Sequence, residues 1–367
     1  MELRTVKSKS EQIQAIELSK SIFKENMAEQ FTSLFGEANW GHMFIAIDVN
    51  QIVSLVNYYS SIVHIGPCQI NVASIGSVCT KAEYRGQKLA TKLLLLAEKQ
   101  MKQENIDLVI ISGAGGIYTD FGSSLAGNVF EYCINQEKLI DKDSVHVVKY
   151  EQNKLLNLIS IQKKETVRYH RTEEEFSRLL SAQTFPDTFA TYPIYLLEKD
   201  NTTLAYIVGI IPVEGDEFGI KEFAGDRRTI VDSFRTLVKL HQRDKIHFAA
   251  DDHDPINQFL SQYERKLIHQ HASFKIIDFC DLMEKLKPYF ESIVPNFGME
   301  FQLIDNTAVF RINHEIYEVH SSELLSKIIL GFDQPVLLQL DNQPNIKEFF
   351  NQVFPIPFVW TNNINYQ

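Results

Sequence analysis

Residues 69–111 constrain the fold more than any other stretch. "QINVASIGSVCT" is rich in β-branched residues and reads as a strand. It runs into the turn "RGQKLA" and then into "TKLLLLAEKQ", whose apolar spacing predicts a helix to about Glu104. "DLVIISG" follows, a short apolar run of the kind a buried strand uses. Any fold for this chain must accommodate strand, glycine turn, helix and strand in that order.

The flanking segments extend the pattern. Ser8 and Glu11 have capping-box spacing, and "IQAIELSKSIF" continues at helical period. "FIAID" and "IVSLVNYYSSIV" read as strands joined by a hairpin turn at "DVNQ". "AGGIYTDFGSSLAG" is a glycine-rich loop and "NVFEYCI" one more strand. The unit then recurs faintly. "LAYIVGIIPV", "EFGIKEFAG", "DRRTIVDSFRTLVKLHQ" and "KIHFAA" again give strand, strand, helix, strand. Here the turn is "AGDRR", with Asp226 as an ordinary N-cap. From about residue 281 a helix, "DLMEKLKPYF", leads to the strand-like runs "MEFQLID", "AVFRIN" and "EIYEVH". "SSELLSKIILGF" is a helix with Ser321 or Ser322 as cap and Gly331 as stop. The tail "FPIPFVWTNNINYQ" is aromatic and poor in charge, so docking is expected. The expectation is an α+β protein in three segments, 1–140, 141–280 and 281–367.

Composition excludes several functions. The net charge of -11 and pI near 5.5 argue against general nucleic-acid or anionic-membrane binding, which clustered Lys and Arg would supply. "MELRTVKSKSEQ" has no apolar signal core, and runs such as "YIVGIIPV" are far short of a membrane span. Cys68, Cys79, Cys133 and Cys280 lie far apart, so neither zinc nor a disulfide framework is expected. "DDHD" at 251–254 reads as a helix start before Pro255, and "HQH" at 269–271 lacks companion ligands, so no metal is expected. These features point to a reducing cytoplasm.

A turn entering a helix exposes unpaired backbone N–H groups at the positive end of the dipole, which favours a pyrophosphate. Gly86 and Ala90 let phosphates approach the backbone, and Arg85 stands where its guanidinium could assist. At Arg85, Gly86, Gln87, Lys88, Leu89 and Ala90 the chain resembles the GNAT superfamily of acyl-CoA-dependent N-acetyltransferases, with Lys88 where the family's pattern has an inner glycine. The resemblance implies a GNAT fold for the first segment and a degenerate GNAT-like second segment. It also implies acetyl transfer from acetyl-CoA to a primary amine. Backbone groups of Val78, Cys79 and Thr80 would meet the pantetheine arm, and Tyr118, a phenol protonated at neutral pH, would protonate the leaving thiolate.

Over the whole chain the resemblance is to the enhanced-intracellular-survival (Eis-like) acetyltransferases, whose last domain is similar to sterol carrier proteins. That likeness implies a terminal carboxylate, here on Gln367, as base or substrate orienter, with Trp360 and Tyr366 lining the pocket. It also implies assembly into a homo-oligomer. Glu25 and one of Tyr58 and Tyr59 are the further candidates for the acceptor pocket, since strand alternation turns one tyrosine away. Two other readings stay open: a non-catalytic acyl-CoA-binding or scaffold protein, and an apolar-ligand cavity behind "AVFRIN" and "EIYEVH".

Overall fold

The structure is a computed structural model that describes residues 1–140, 145–183, 189–331 and 340–365. The chain opens with β1 (Glu2–Thr5), α1 (Lys9–Ile22) and the single-turn helices α2 (Met27–Gln30) and α3 (Thr32–Phe35). β2 (Met43–Asp48), β3 (Gln51–Ile65), β4 (Cys68–Thr80), α4 (Leu89–Gln103), β5 (Leu108–Ile111), α5 (Gly116–Asp120) and β6 (Ser124–Leu125) follow. Next come β7 (Asn128–Asn135), β8 (His146–Lys149), α6 (Leu155–Gln162), β9 (Val167–Tyr169), α7 (Glu173–Gln183), β10 (Ala190–Thr191) and β11 (Ile194–Lys199). β12 (Thr202–Pro212), β13 (Glu217–Gly225), α8 (Arg227–Leu240), β14 (Lys245–Asp251), α9 (Ile256–Phe259) and β15 (Arg265–His269) complete the middle of the chain. The rest holds β16 (Ser273–Ile276), α10 (Phe279–Ile293), β17 (Glu300–Ile304), β18 (Thr307–Ile312), β19 (Glu315–Val319), α11 (Ser322–Leu330) and α12 (Pro344–Val353).

Two compact units result. The first comprises residues 1–127 and 270–356, and its main sheet runs β1-β2-β3-β4-β5-β16-β6. All neighbours are antiparallel except β4 and β5. Val49 and Asn50 both take positive φ between β2 and β3, the conformation a two-residue hairpin demands. One face of the sheet packs Phe44, Val53, Tyr58 and Ile75 against Leu89, Leu93, Ala97 and Met101, the stripe that the helical spacing of α4 predicts. The other face packs Met43, Ile45 and Leu55 against Leu18, Leu34 and Phe35.

The sheets do not follow the sequence segments. The "NVFEYCI" strand, β7, pairs with β14 and β15 in the second unit, while β16 fills the place between β5 and β6 in the first. Alternation says which face of a strand is buried; it does not name the neighbouring strand. In residues 279–354 the sheet β17-β18-β19 lies over a set of aromatic rings. Phe310 meets Phe350 edge-on at 4.9 Å, and Phe279, Phe290, Phe301, Phe349 and Phe354 complete the cluster. This interior is filled. The expected apolar-ligand cavity is therefore corrected to a packed aromatic core, with Phe310 and Tyr317 themselves part of the packing.

The second unit comprises residues 128–269 and 357–365, and its sheet runs β15-β7-β14-β13-β12-β11-β8. It repeats the arrangement of two antiparallel strands, a helix and a parallel strand, as the sequence repeat predicts. Asp226 caps α8 by accepting from the Thr229 N–H at 2.7 Å. The aromatic tail is docked: Asp251 accepts the Phe358 N–H at 3.1 Å, and Arg171 donates to Asn365 at 2.7 Å. Arg171, itself buried, is bound bidentately to the partly buried Glu222 at 2.7 and 2.8 Å.

Two glycines mark the two turns. A Cβ on Gly225, at φ 102, would sit 2.2 Å from the Leu204 carbonyl oxygen, whereas a Cβ on Gly86, at φ 80, meets nothing within 4 Å. Gly225→Ala is expected to cost at least about 3 kcal/mol and Gly86→Ala about 1–2 kcal/mol, measured by denaturant unfolding. His253 bonds to Asp251 at 3.0 Å and pairs with Asp252 at 2.7 Å, which together push its imidazole up to about 10. Its contribution to stability is complete below the ordinary imidazole value, about 6.5, and fades as pH rises through about 10. Thermal midpoints of the wild type should accordingly fall more between pH 7 and 10 than those of His253→Gln.

Candidate active site

Parallel pairing of β4 with β5 lasts four residues, from Val72↔Leu108 to Ile75↔Ile111. Beyond Ile75, β4 continues to Thr80 bonded to β3 alone, so its other edge has open backbone groups. A register shift opposite Leu55–Asn57 marks a bulge, where Ser77 takes φ 55. The Ser77 hydroxyl lies 2.6 Å from that of Ser19 on α1, which ties the bulge to the covering helix.

The loop after β4 delivers α4 to this opening. Ser8, Asp226, Asp278 and Ser321 each cap a helix with a side chain, but Lys88, the N-cap of α4, makes no such bond. Lys88 adopts the left-handed conformation at φ 55 and ψ 31, the geometry glycine takes without strain. The backbone therefore keeps the tight course of a glycine loop although a lysine occupies it, at a cost of about 1 kcal/mol. Arg85, Gly86, Gln87 and Lys88 are exposed, and the Arg85 Nε donates to the Thr80 carbonyl at 3.4 Å. A first turn without a side-chain cap, together with the helix dipole, is an arrangement that favours an anion.

Other predicted residues divide by side-chain direction. Leu89 is 3% exposed and packs in the core, so only its N–H faces the opening. Cys79 is buried in the opposite layer, and burial pushes its thiol up to about 12, leaving only its backbone for a ligand. Val78 packs on the α4 face, and the Thr80 hydroxyl lies 2.8 Å from that of Ser54. Tyr118 sits on α5 at the edge of the α4 core, its carbonyl accepting from the N–H and hydroxyl of Ser123 at 2.9 and 2.8 Å.

Of the two tyrosines on β3, Tyr59 faces the α1 layer beside Phe31 and Trp40. Tyr58 is removed from the acceptor pocket: it is fully buried, stacked on His42 at 4.3 Å, and donates to Glu104 at 2.8 Å. Burial and that carboxylate push its phenol up, so it stays protonated. Glu25 is exposed in the turn between α1 and α2. Trp360 belongs to the second unit, where it lines a cleft of about 720 Å³ with Tyr169, Arg171 and Phe358. Tyr366 and Gln367 lie outside the described residues.

Sequence reasoning missed the groups that hold the site. Ser77 is indistinguishable from its neighbours until the bulge places it. Ser273 donates to the Gly113 carbonyl at 2.6 Å across 160 positions of sequence, a separation that leaves no local signal. In the 720 Å³ cleft the helix start is closed by Asp226, and Arg227 by Glu165 and Asp254, both at under 3 Å. The start of α4, in the first unit, has no such side-chain closure. Among the described residues no helix is long and apolar enough to cross a membrane.

Comparison with known proteins agrees with this geometry. Residues 2–126 match the model of the acetyltransferase (GNAT) domain. No curated protein matches the chain in sequence. Among solved structures, a GCN5-related N-acetyltransferase from Anabaena variabilis superposes with a TM-score of 0.70 at 13% identity, covering 98% of this chain and 100% of that one. An Enterococcus faecalis protein described as a probable N-acyltransferase gives 0.68 at 12% identity, with 98% and 97% covered. Eis1 from Mycobacterium abscessus gives 0.63 at 10% identity, with 94% and 93% covered. At such identities the likeness is one of fold. Residues 2–126 thus carry the match to the acetyltransferase (GNAT) domain, and the fold around them is shared with these structures along nearly the whole chain.

Proposed function

We propose that the protein transfers an acetyl group from acetyl-CoA directly to a primary amine. The observation that carries this reading is the uncapped start of α4, held by Gly86 and Lys88 at positive φ beside the free edge of β4. The N–H groups of Gly86, Gln87, Lys88, Leu89 and Ala90 would hold a pyrophosphate, with Arg85 beside them. The β4 edge at Val78, Cys79 and Thr80 would lie along the pantetheine arm and pair with its amides as an added strand.

The acceptor attacks as a neutral amine, since an ammonium has no lone pair. Backbone N–H donors at the β4 bulge would polarise the thioester carbonyl. Tyr118 would donate its phenolic proton to the leaving sulfur. The α1 layer, with Tyr59 and Glu25, is the side we assign to the acceptor.

Calorimetric titration with acetyl-CoA tests the cradle. Wild type should bind, and a folded Ala90→Asp variant, which sets a carboxylate against the phosphates, should not. Failure of folded wild type to bind overturns the reading. Lys88→Gly should relieve the strain and raise stability by about 1 kcal/mol while weakening acetyl-CoA binding less than about tenfold, since one exposed charge adds little. Tyr118→Phe should lower kcat about 100-fold with the KM for acetyl-CoA unchanged, followed by thiol release.

A further inference from the structure

We propose that Ser273 is a positioning residue for acyl transfer, fixing through Gly113 the loop that presents Tyr118. The inference rests on the reading of Tyr118 as the proton donor. Its geometry is independent of that reading.

Loop 112–123 leaves the sheet at the end of β5 and returns at β6. Ser273 stands opposite both ends, pairing with Ile111 on one side and Leu125 on the other. Its hydroxyl donates to the Gly113 carbonyl at 2.6 Å, and the Ser123 hydroxyl lies 3.4 Å away. Ser123 in turn donates to the Tyr118 carbonyl through its N–H at 2.9 Å and its hydroxyl at 2.8 Å. Both serines are 2% exposed. Gly113 is the contact that reaches the ring: a Cβ there would stand 2.9 Å from the Tyr118 Cε2. The ring thus rests on bare backbone, and the atom that sets that backbone is the Ser273 hydroxyl.

Such a tether matters because there is room to move. A cavity of about 230 Å³ adjoins the ring, lined by Tyr118, Ser123 and Ser273 with Glu323 and Lys327 of α11. A loop released from Ser273 can let the phenol turn into this space. Proton transfer to sulfur tolerates little misplacement, so the loss falls on the chemical step and leaves cofactor binding intact.

Ser273→Ala tests the proposal in a double-mutant cycle with Tyr118→Phe in the full chain. The Ser273→Ala variant should bind acetyl-CoA within about twofold of wild type, keep its KM, and lose about ten- to a hundredfold in kcat. In the Tyr118→Phe background the same substitution should cost nothing further. Full kcat in Ser273→Ala, or losses that multiply in the double variant, overturns the proposal. If Ser273→Ala does not fold, Gly113→Ala, which presses on the ring from the same side, replaces it in the same cycle, and full kcat or multiplying losses there overturn the proposal equally. Hydrogen exchange of residues 113–123 should quicken in Ser273→Ala, and unchanged exchange also overturns it. If Tyr118→Phe alone keeps full kcat while that exchange quickens, the tether stands and the assignment of the acid falls.

Discussion

The parting of β4 from β5 after Ile75 is the constraint on which the site depends. Four parallel pairs are enough to anchor both strands, and ending the ladder there leaves a row of backbone groups with nothing opposite. Left exposed, such an edge is a liability. Here one side is bulged at Ser77, tied to α1, and faced by a helix that arrives with its own first turn open. Each open group alone is a small defect. Placed together, they are the features on which the proposed cradle for acetyl-CoA rests.

The second unit supplies the comparison within the same chain. Its β13 and β14 also pair in parallel briefly, over Glu217–Gly219, and then part. There the start of the helix is closed by side chains. Asp226 takes the helix N–H groups, Glu165 accepts the Gly225 N–H at 2.6 Å, and Arg227 is held between two carboxylates. A negatively charged ligand would meet carboxylates where the first copy offers bare amides. The copies diverge in the turn itself: Lys88 is left-handed at φ 55 with no side-chain cap, whereas Asp226 is extended at φ -64 and caps its helix.

Much of this was legible in the sequence, for definable reasons. The β-branched runs, the apolar stripe of α4 and the Asp226 cap are local signals, and each element formed where its pattern lies. Lys88 in place of glycine raised the question of a looser loop, and the backbone answers it by accepting a left-handed lysine. Parity gave one of Tyr58 and Tyr59 to each layer but could not say which layer held the helix with Glu104. Partners far apart in sequence, such as Ser273 with Gly113 or Arg171 with Glu222, carry no local mark. Nor does strand exchange, because β7 and β16 have patterns that fit either sheet.

That exchange has a consequence for how the protein is made. On the ribosome, residues up to Gly127 emerge with β5 lacking one of its two neighbours, and that neighbour, β16, is translated only after the whole of β7 to β15. At ordinary elongation rates the wait is roughly 10–30 s, long compared with the microseconds to milliseconds in which helices and hairpins form. During that interval an apolar strand edge stands open in the nascent chain. Synthesis of the first unit's sheet is thus complete only after the residues of the second unit have been translated. A gene cut at residue 127 would encode a product with a permanently exposed seam.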